Sequence, residues 1–113
     1  NGDVCNKIGT YLKALAAYDN SIPFYVAAPI SSIDFNITNG LKDIPIEERN
    51  QKEVSSIYGL NSKGVIENIT ITPKNANCKN YAFDVTPAKF ITKIITEKKV
   101  VEANEKSISG LID

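Results

Sequence analysis

The run Ile22-Pro23-Phe24-Tyr25-Val26-Ala27-Ala28-Pro29 is apolar through its centre, with one proline near its start and a second closing it. An alternating strand gives one face to water, and a run without alternation has no such face to give. Over so few residues this predicts a strand inside a parallel sheet covered on both sides. With helix, strand, helix and strand in succession along the chain, this points to an α/β domain, expected as a Rossmann-like open, mostly parallel sheet with flanking helices.

The flanking sequence is read in that frame. Across residues 4–18, Ile8, Leu12, Leu15 and Ala16 recur at helical spacing, with Asp3 placed to cap the first turn, which predicts a helix. Residues 30–50 read as a long ordered loop, with Asn39-Gly40 as a turn signal and Pro45 as a breaker. A short helix is expected around residues 52–58. Residues 65–72 alternate Ile69 and Ile71 with Thr70 and Thr72, the pattern of a strand with one buried face near a sheet edge. Thr86-Pro87 reads as a helix start, with Phe90, Ile91, Ile94 and Ile95 as its buried stripe. The tail from about residue 102 is expected to be a surface helix or partly disordered.

Composition bounds the rest. The 113 residues, 42% of them apolar, are enough for one modest core, so residues 1–113 are expected to form a single domain. Thirteen basic and thirteen acidic side chains cancel, leaving no field to hold a polyphosphate backbone; nucleic acid is not an expected partner. Cys5 and Cys78, in a chain without His, cannot complete a tetrahedral zinc site and are too few for a disulfide framework. No metal and no cofactor is expected. No apolar run approaches the ~18 residues that span a bilayer, and the amino end lacks the order of a secretory signal, so a cytoplasmic location away from membranes is expected. The sequons at Asn36 and Asn68 are what a chain rich in Asn, Ile and Thr produces by chance. The chain opens on Asn1 and contains no Met, and is expected to be processed, trimmed or the tail of something longer.

Chemistry is concentrated at the amino end. With Asp3 as a cap, Asn6 and Lys7 would lie at the opening of the first helix, where backbone amides and an ammonium group together suit a phosphate or an oxyanion. The plainer reading is a solvated lysine beside an asparagine. Ser31, Ser32 and Asp34 follow the buried strand at the end where an open α/β sheet gathers ligands, and they equally suit turn formation. Asp84 stands between a site carboxylate and an ordinary residue at a helix start. Glu47-Glu48 reads as a solvated pair. Without histidine there is no Ser-His or Cys-His couple, and the glycines form neither a P-loop nor a dinucleotide fingerprint.

Four blocks in order, Asn1 to Tyr11, Pro23 to Pro29, Ile44-Pro45-Ile46-Glu47-Glu48-Arg49 and Ala82-Phe83-Asp84-Val85-Thr86-Pro87, resemble the carboxyl-terminal part of the methylthioribose-1-phosphate isomerase family. The resemblance runs from Asn1 to about Val101 and covers the last third or so of such a protein. It implies an aldose–ketose isomerisation in methionine salvage, with Asn6 and Lys7 as the substrate-binding pair. The family's catalytic aspartate and cysteine would both precede Asn1, so no catalytic residue is expected in this chain. Cys5 stands where most relatives carry a small residue such as Ala, and Cys78 falls in a variable loop, so neither is assigned that role.

The resemblance extends to the regulatory subunits of translation factor 2B, which act by protein contact without this isomerisation. Three functions are therefore weighed: the substrate-holding part of the isomerase, inactive alone; a non-catalytic binding module of the 2B type; and the relic of a decayed gene. Expected partners are a sugar phosphate and either a second copy or the missing amino-terminal half, drawn to apolar surface around Phe24 and Val26.

Overall fold

Gly9 decides where the first helix begins. It sits at φ 100°, in the left-handed region where a residue without a Cβ is at ease, and it breaks the expected helix over residues 4–18 in two. Before it runs a strand, β1 (Val4–Lys7); after it comes α1 (Thr10–Asp19). Asp3 does not cap α1. Its Oδ2 accepts from the Gly40 N–H (3.1 Å) and from Asn1 Nδ2 (2.7 Å), and its Oδ1 accepts from the Ala88 N–H (2.9 Å).

The computed structural model describes residues 1–112, and the chain divides into two compact units, Asn1–Pro45 with Phe83–Asp113, and Ile46–Ala82. In the first unit β1 pairs antiparallel with β5 (Phe83–Thr86), so that Asn6 faces Asp84 and Lys7 faces Phe83. α1 turns Ala14 fully inward, while Tyr11 and Tyr18 set their rings 5.8 and 5.1 Å from that of Phe90.

The apolar run forms β2 (Tyr25–Ala27), followed by a 3₁₀ turn at Ile30–Ser32 and by α2 (Gly40–Asp43), whose first turn is capped by the Asn39 side chain. β2 lies parallel to β6 (Lys93–Ile95), and β6 lies antiparallel to β7 (Val100–Val101). The row Val26–Ile94–Val101 faces the core, joined there by Ile91 and, from α4 (Glu105–Ser109), by Ile108. The opposite row, Ala27–Ile95–Val100, faces water, with Ile95 40% and Val100 54% exposed.

Three expectations are corrected here. The fold is α/β, but its sheets are mostly antiparallel: β2–β6 is the one parallel pairing among the described strands, so the Rossmann-like, mostly parallel sheet does not hold. The helix after Pro87 is a 3₁₀ turn, Ala88–Phe90, that leads into β6. The β-branched sequence Thr92-Lys93-Ile94-Ile95-Thr96 suits a strand, and the Thr92 hydroxyl accepts from the Phe24 N–H (2.9 Å), fixing β6 beside β2. Thr86 therefore ends β5 fully buried, its hydroxyl without a hydrogen-bond partner among the described residues, instead of capping a helix. The tail does contain a short helix, yet it belongs to the core: Leu111 is 1% exposed. Gly2, at φ 96°, allows the chain to pass this segment where a Cβ would stand 2.3 Å from the Ala103 carbonyl oxygen.

The second unit holds α3 (Lys52–Ser55), β3 (Ser56–Leu60) and β4 (Ile66–Thr70), the strands paired antiparallel from Ser56↔Thr70 to Leu60↔Ile66. Asn61 Oδ1 closes the turn by accepting from the N–H groups of Lys63 (2.9 Å) and Val65 (3.0 Å). At the base of the hairpin the Arg49 guanidinium grips Glu53 through two bonds, and Lys79 pairs with Glu48 at 3.0 Å. Every residue of β4 is exposed, so the buried face read into residues 65–72 is absent.

Candidate functional site

The end of β1 carries the sequence-derived pair. Asn6 and Lys7 are both exposed, at the point where the chain leaves the β1–β5 ribbon and turns through Gly9 into α1. Thr10 sits over this turn: its hydroxyl donates to the Lys7 carbonyl (2.7 Å) and accepts from Asn6 Nδ2 (3.3 Å). From the neighbouring strand the Asp84 carboxylate accepts from the Gly9 N–H (2.7 Å) and, through both oxygens, from the Tyr11 N–H (3.2 Å). A carboxylate at a helix amino end offsets the partial positive charge gathered there. The same carboxylate, second to burial, pushes the Cys5 thiol above its ordinary pKa.

A second feature of the same unit is a cavity of about 180 Å³ whose wall includes Gly2, Asp3, Cys5, Val26, Ser32 and Asp34. It is small beside the ~300–1,000 Å³ typical of ligand pockets. Its charged side chains, Asp3 and Asp34, carry the sign that suits hydroxyls and repels phosphate. Asp34 Oδ1 accepts from the Asn36 N–H (2.9 Å), and the Ser32 hydroxyl donates to the Pro29 carbonyl (2.8 Å). The structure thus brings Ser32 and Asp34 together at this cavity, and Asn6, Lys7 and Asp84 together at the ribbon. Ser31 is exposed in the turn beside Ser32 and is not on the cavity wall.

Sequence reasoning passed over Gly9 and Thr10, which build the turn. The signal was present: a glycine between a strand-like Val4-Cys5-Asn6-Lys7 and a Thr-initiated helix marks a turn. Among the described residues no cluster of three or more His, Cys, Asp or Glu is placed to hold a metal ion, and no helix is long and apolar enough to cross a membrane.

The chain belongs to the initiation factor 2 subunit family, whose pattern matches residues 1–103. Within that family its relatives include isomerases. It is 59% identical over 104 residues to the methylthioribose-1-phosphate isomerase of Sulfurimonas denitrificans, covering 92% of this chain and 29% of that protein. It is 53% identical over 111 residues to that of Paramagnetospirillum magneticum, covering 98% of this chain and 31% of that one. Among solved structures it superposes on 5-methylthioribose 1-phosphate isomerase from Pyrococcus horikoshii OT3 with TM-score 0.80 and 44% identity, over 99% of this chain and 29% of the other. The translation initiation factor eIF-2B subunit delta from A. fulgidus follows at TM-score 0.77 and 37% identity, over 97% and 29%. The chain spans about 30% of the length of the curated relatives it matches.

Proposed function

We propose that this chain is the carboxyl-terminal, substrate-holding part of an aldose–ketose isomerase that converts S-methyl-5-thioribose-1-phosphate to S-methyl-5-thioribulose-1-phosphate. The observation that carries this reading is identity of 53–59%, over nearly the whole chain, to proteins bearing that name. The geometry of the ribbon end supports it. Lys7 offers a positive charge and three donors to phosphate or to a developing oxyanion, and the Asn6 amide both donates to and accepts from a sugar hydroxyl. Ser32 and Asp34, on the cavity wall after β2, are kept in this reading as pocket lining, and Ser31, which lies off that wall, is not.

A phosphate on the anomeric carbon blocks simple ring opening, so the reaction needs an acid–base group in a shielded site. In this reading that aspartate and its companion thiol belong to the portion of the longer relatives preceding the match to Asn1, and the 113-residue chain alone shows no turnover. The second reading, a non-catalytic subunit of the 2B type, draws on the 37% identity to the delta subunit.

An exchange of segments separates the two. Residues 1–112, substituted for the matching segment of the Sulfurimonas denitrificans enzyme, are expected to give an active isomerase in which Lys7→Ala lowers kcat/KM about 10- to 100-fold, as for loss of a charge-assisted bond. A folded but inactive chimera favours the 2B reading. An active chimera indifferent to Lys7→Ala removes Lys7 from the site.

A further inference from the structure

We propose that Asp84 is a positioning residue for the Asn6–Lys7 pair, acting through the backbone of the turn and not through contact with a ligand; the link to catalysis rests on the isomerase reading above. α1 has no side-chain cap from its own segment and no acidic residue in its first turn. Its amino end is capped from residue 84 instead, across the β1–β5 ribbon. Both carboxylate oxygens of Asp84 are engaged by the Gly9 and Tyr11 amides, which leaves this side chain holding the turn. Register sets the tie at the right place, because Asn6 lies directly opposite Asp84.

Gly9 makes such a clamp necessary. A glycine in the left-handed region is free to leave it, and with it would go the direction in which the chain exits Lys7. Asp84 holds the amide of the hinge glycine itself and that of Tyr11 beyond it, while the Thr10 hydroxyl reaches back to the Lys7 carbonyl and the Asn6 side-chain amide. The two side chains together turn a flexible exit into a fixed platform for a pair that must meet substrate oxygens within a fraction of an ångström.

The clamp is tested first on the full chain without substrate, by amide hydrogen exchange. In Asp84→Ala the Gly9 and Tyr11 amides are expected to exchange about tenfold faster or more, as for loss of a hydrogen bond to a charged group. The Thr92 and Ala28 amides, bonded between β2 and β6, should be unchanged. Asp84→Asn, which keeps one acceptor oxygen, should restore part of the protection. If Asp84→Ala unfolds the chain and all amides exchange alike, the decision passes to Asp84→Asn, where Gly9 and Tyr11 alone should be affected. Unchanged Gly9 and Tyr11 exchange in the folded variant overturns the clamp.

The second measurement is made in the active chimera. There Asp84→Asn is expected to lower kcat/KM at unchanged melting temperature, in the direction of Lys7→Ala and by up to ~10²-fold. Loss of activity on Lys7→Ala with none on Asp84→Asn overturns the positioning role. Indifference to Lys7→Ala defeats the isomerase reading itself, while the exchange data still judge the clamp.

Discussion

Cys5 shows how one partly buried carboxylate shapes its neighbours. Burial and, after it, the negative charge of Asp84 both disfavour the thiolate, so the folded chain holds the thiol proton more tightly than the unfolded chain does. The sign follows: this group costs nothing below the ordinary thiol pKa of about 8.5, and it withdraws stability as pH rises from there through the folded value. Alkylation of Cys5 by iodoacetamide is accordingly expected to follow a pH–rate profile displaced to higher pH than that of an unstructured thiol peptide. Cys5→Ala should remove its share of the alkaline loss of stability, measured by urea unfolding across that range. A profile matching the free peptide would contradict the burial that places Cys5 on the cavity wall.

At the scale of elements, the short helix α4 depends on its cap. Asn104 Oδ1 accepts from the Ser107 N–H at 2.9 Å, and this single turn presents Ile108 to the core. Asn104→Ala is expected to lower unfolding stability by about 1 kcal/mol, and Asn104→Gly by only a few tenths, in denaturant titration. What the sequence made legible divides along similar lines. β2 was readable as a strand because an apolar run between prolines has few alternatives, but its setting was not: it pairs with β6 alone, at the edge of a mixed three-stranded sheet with one face exposed, where a parallel sheet covered on both sides was expected. β1 and β6 were not readable, because apolar residues at helical spacing also fit strands when pairing and a left-handed glycine override propensity. β3 was missed although Asn61-Ser62-Lys63-Gly64 between two apolar runs is a hairpin signal. At the site, Asn6 and Lys7 could be named from the resemblance, but Asp84 as the cap of α1 could not. Its bonds span more than seventy residues, and only the β1–β5 register brings the ends together.

For the molecule as a whole, the unpaired sheet face matters most. Parallel strands normally bury both sides, yet Tyr25, Ile95 and Val100 stand 53%, 40% and 54% exposed on one side of β2–β6–β7. Phe24 and Val26, expected to form the sticky surface, are instead packed partly against the core. The isolated chain is therefore expected to self-associate with rising concentration in sedimentation velocity, and the pair Ile95→Lys, Val100→Lys to return it toward monomer. A monomer at all concentrations for the parent chain would refute this.

The Asp3 carboxylate fastens backbone from residues 40 and 88 at once. A ribosome delivers those segments in order, so the amino-terminal strand lacks its Ala88 contact and its antiparallel partner until residues 83–88 have been made. Synthesis from the amino end thus leaves the proposed substrate-holding turn unformed until late, and the segment that carries Lys7 is among the last to acquire its shape.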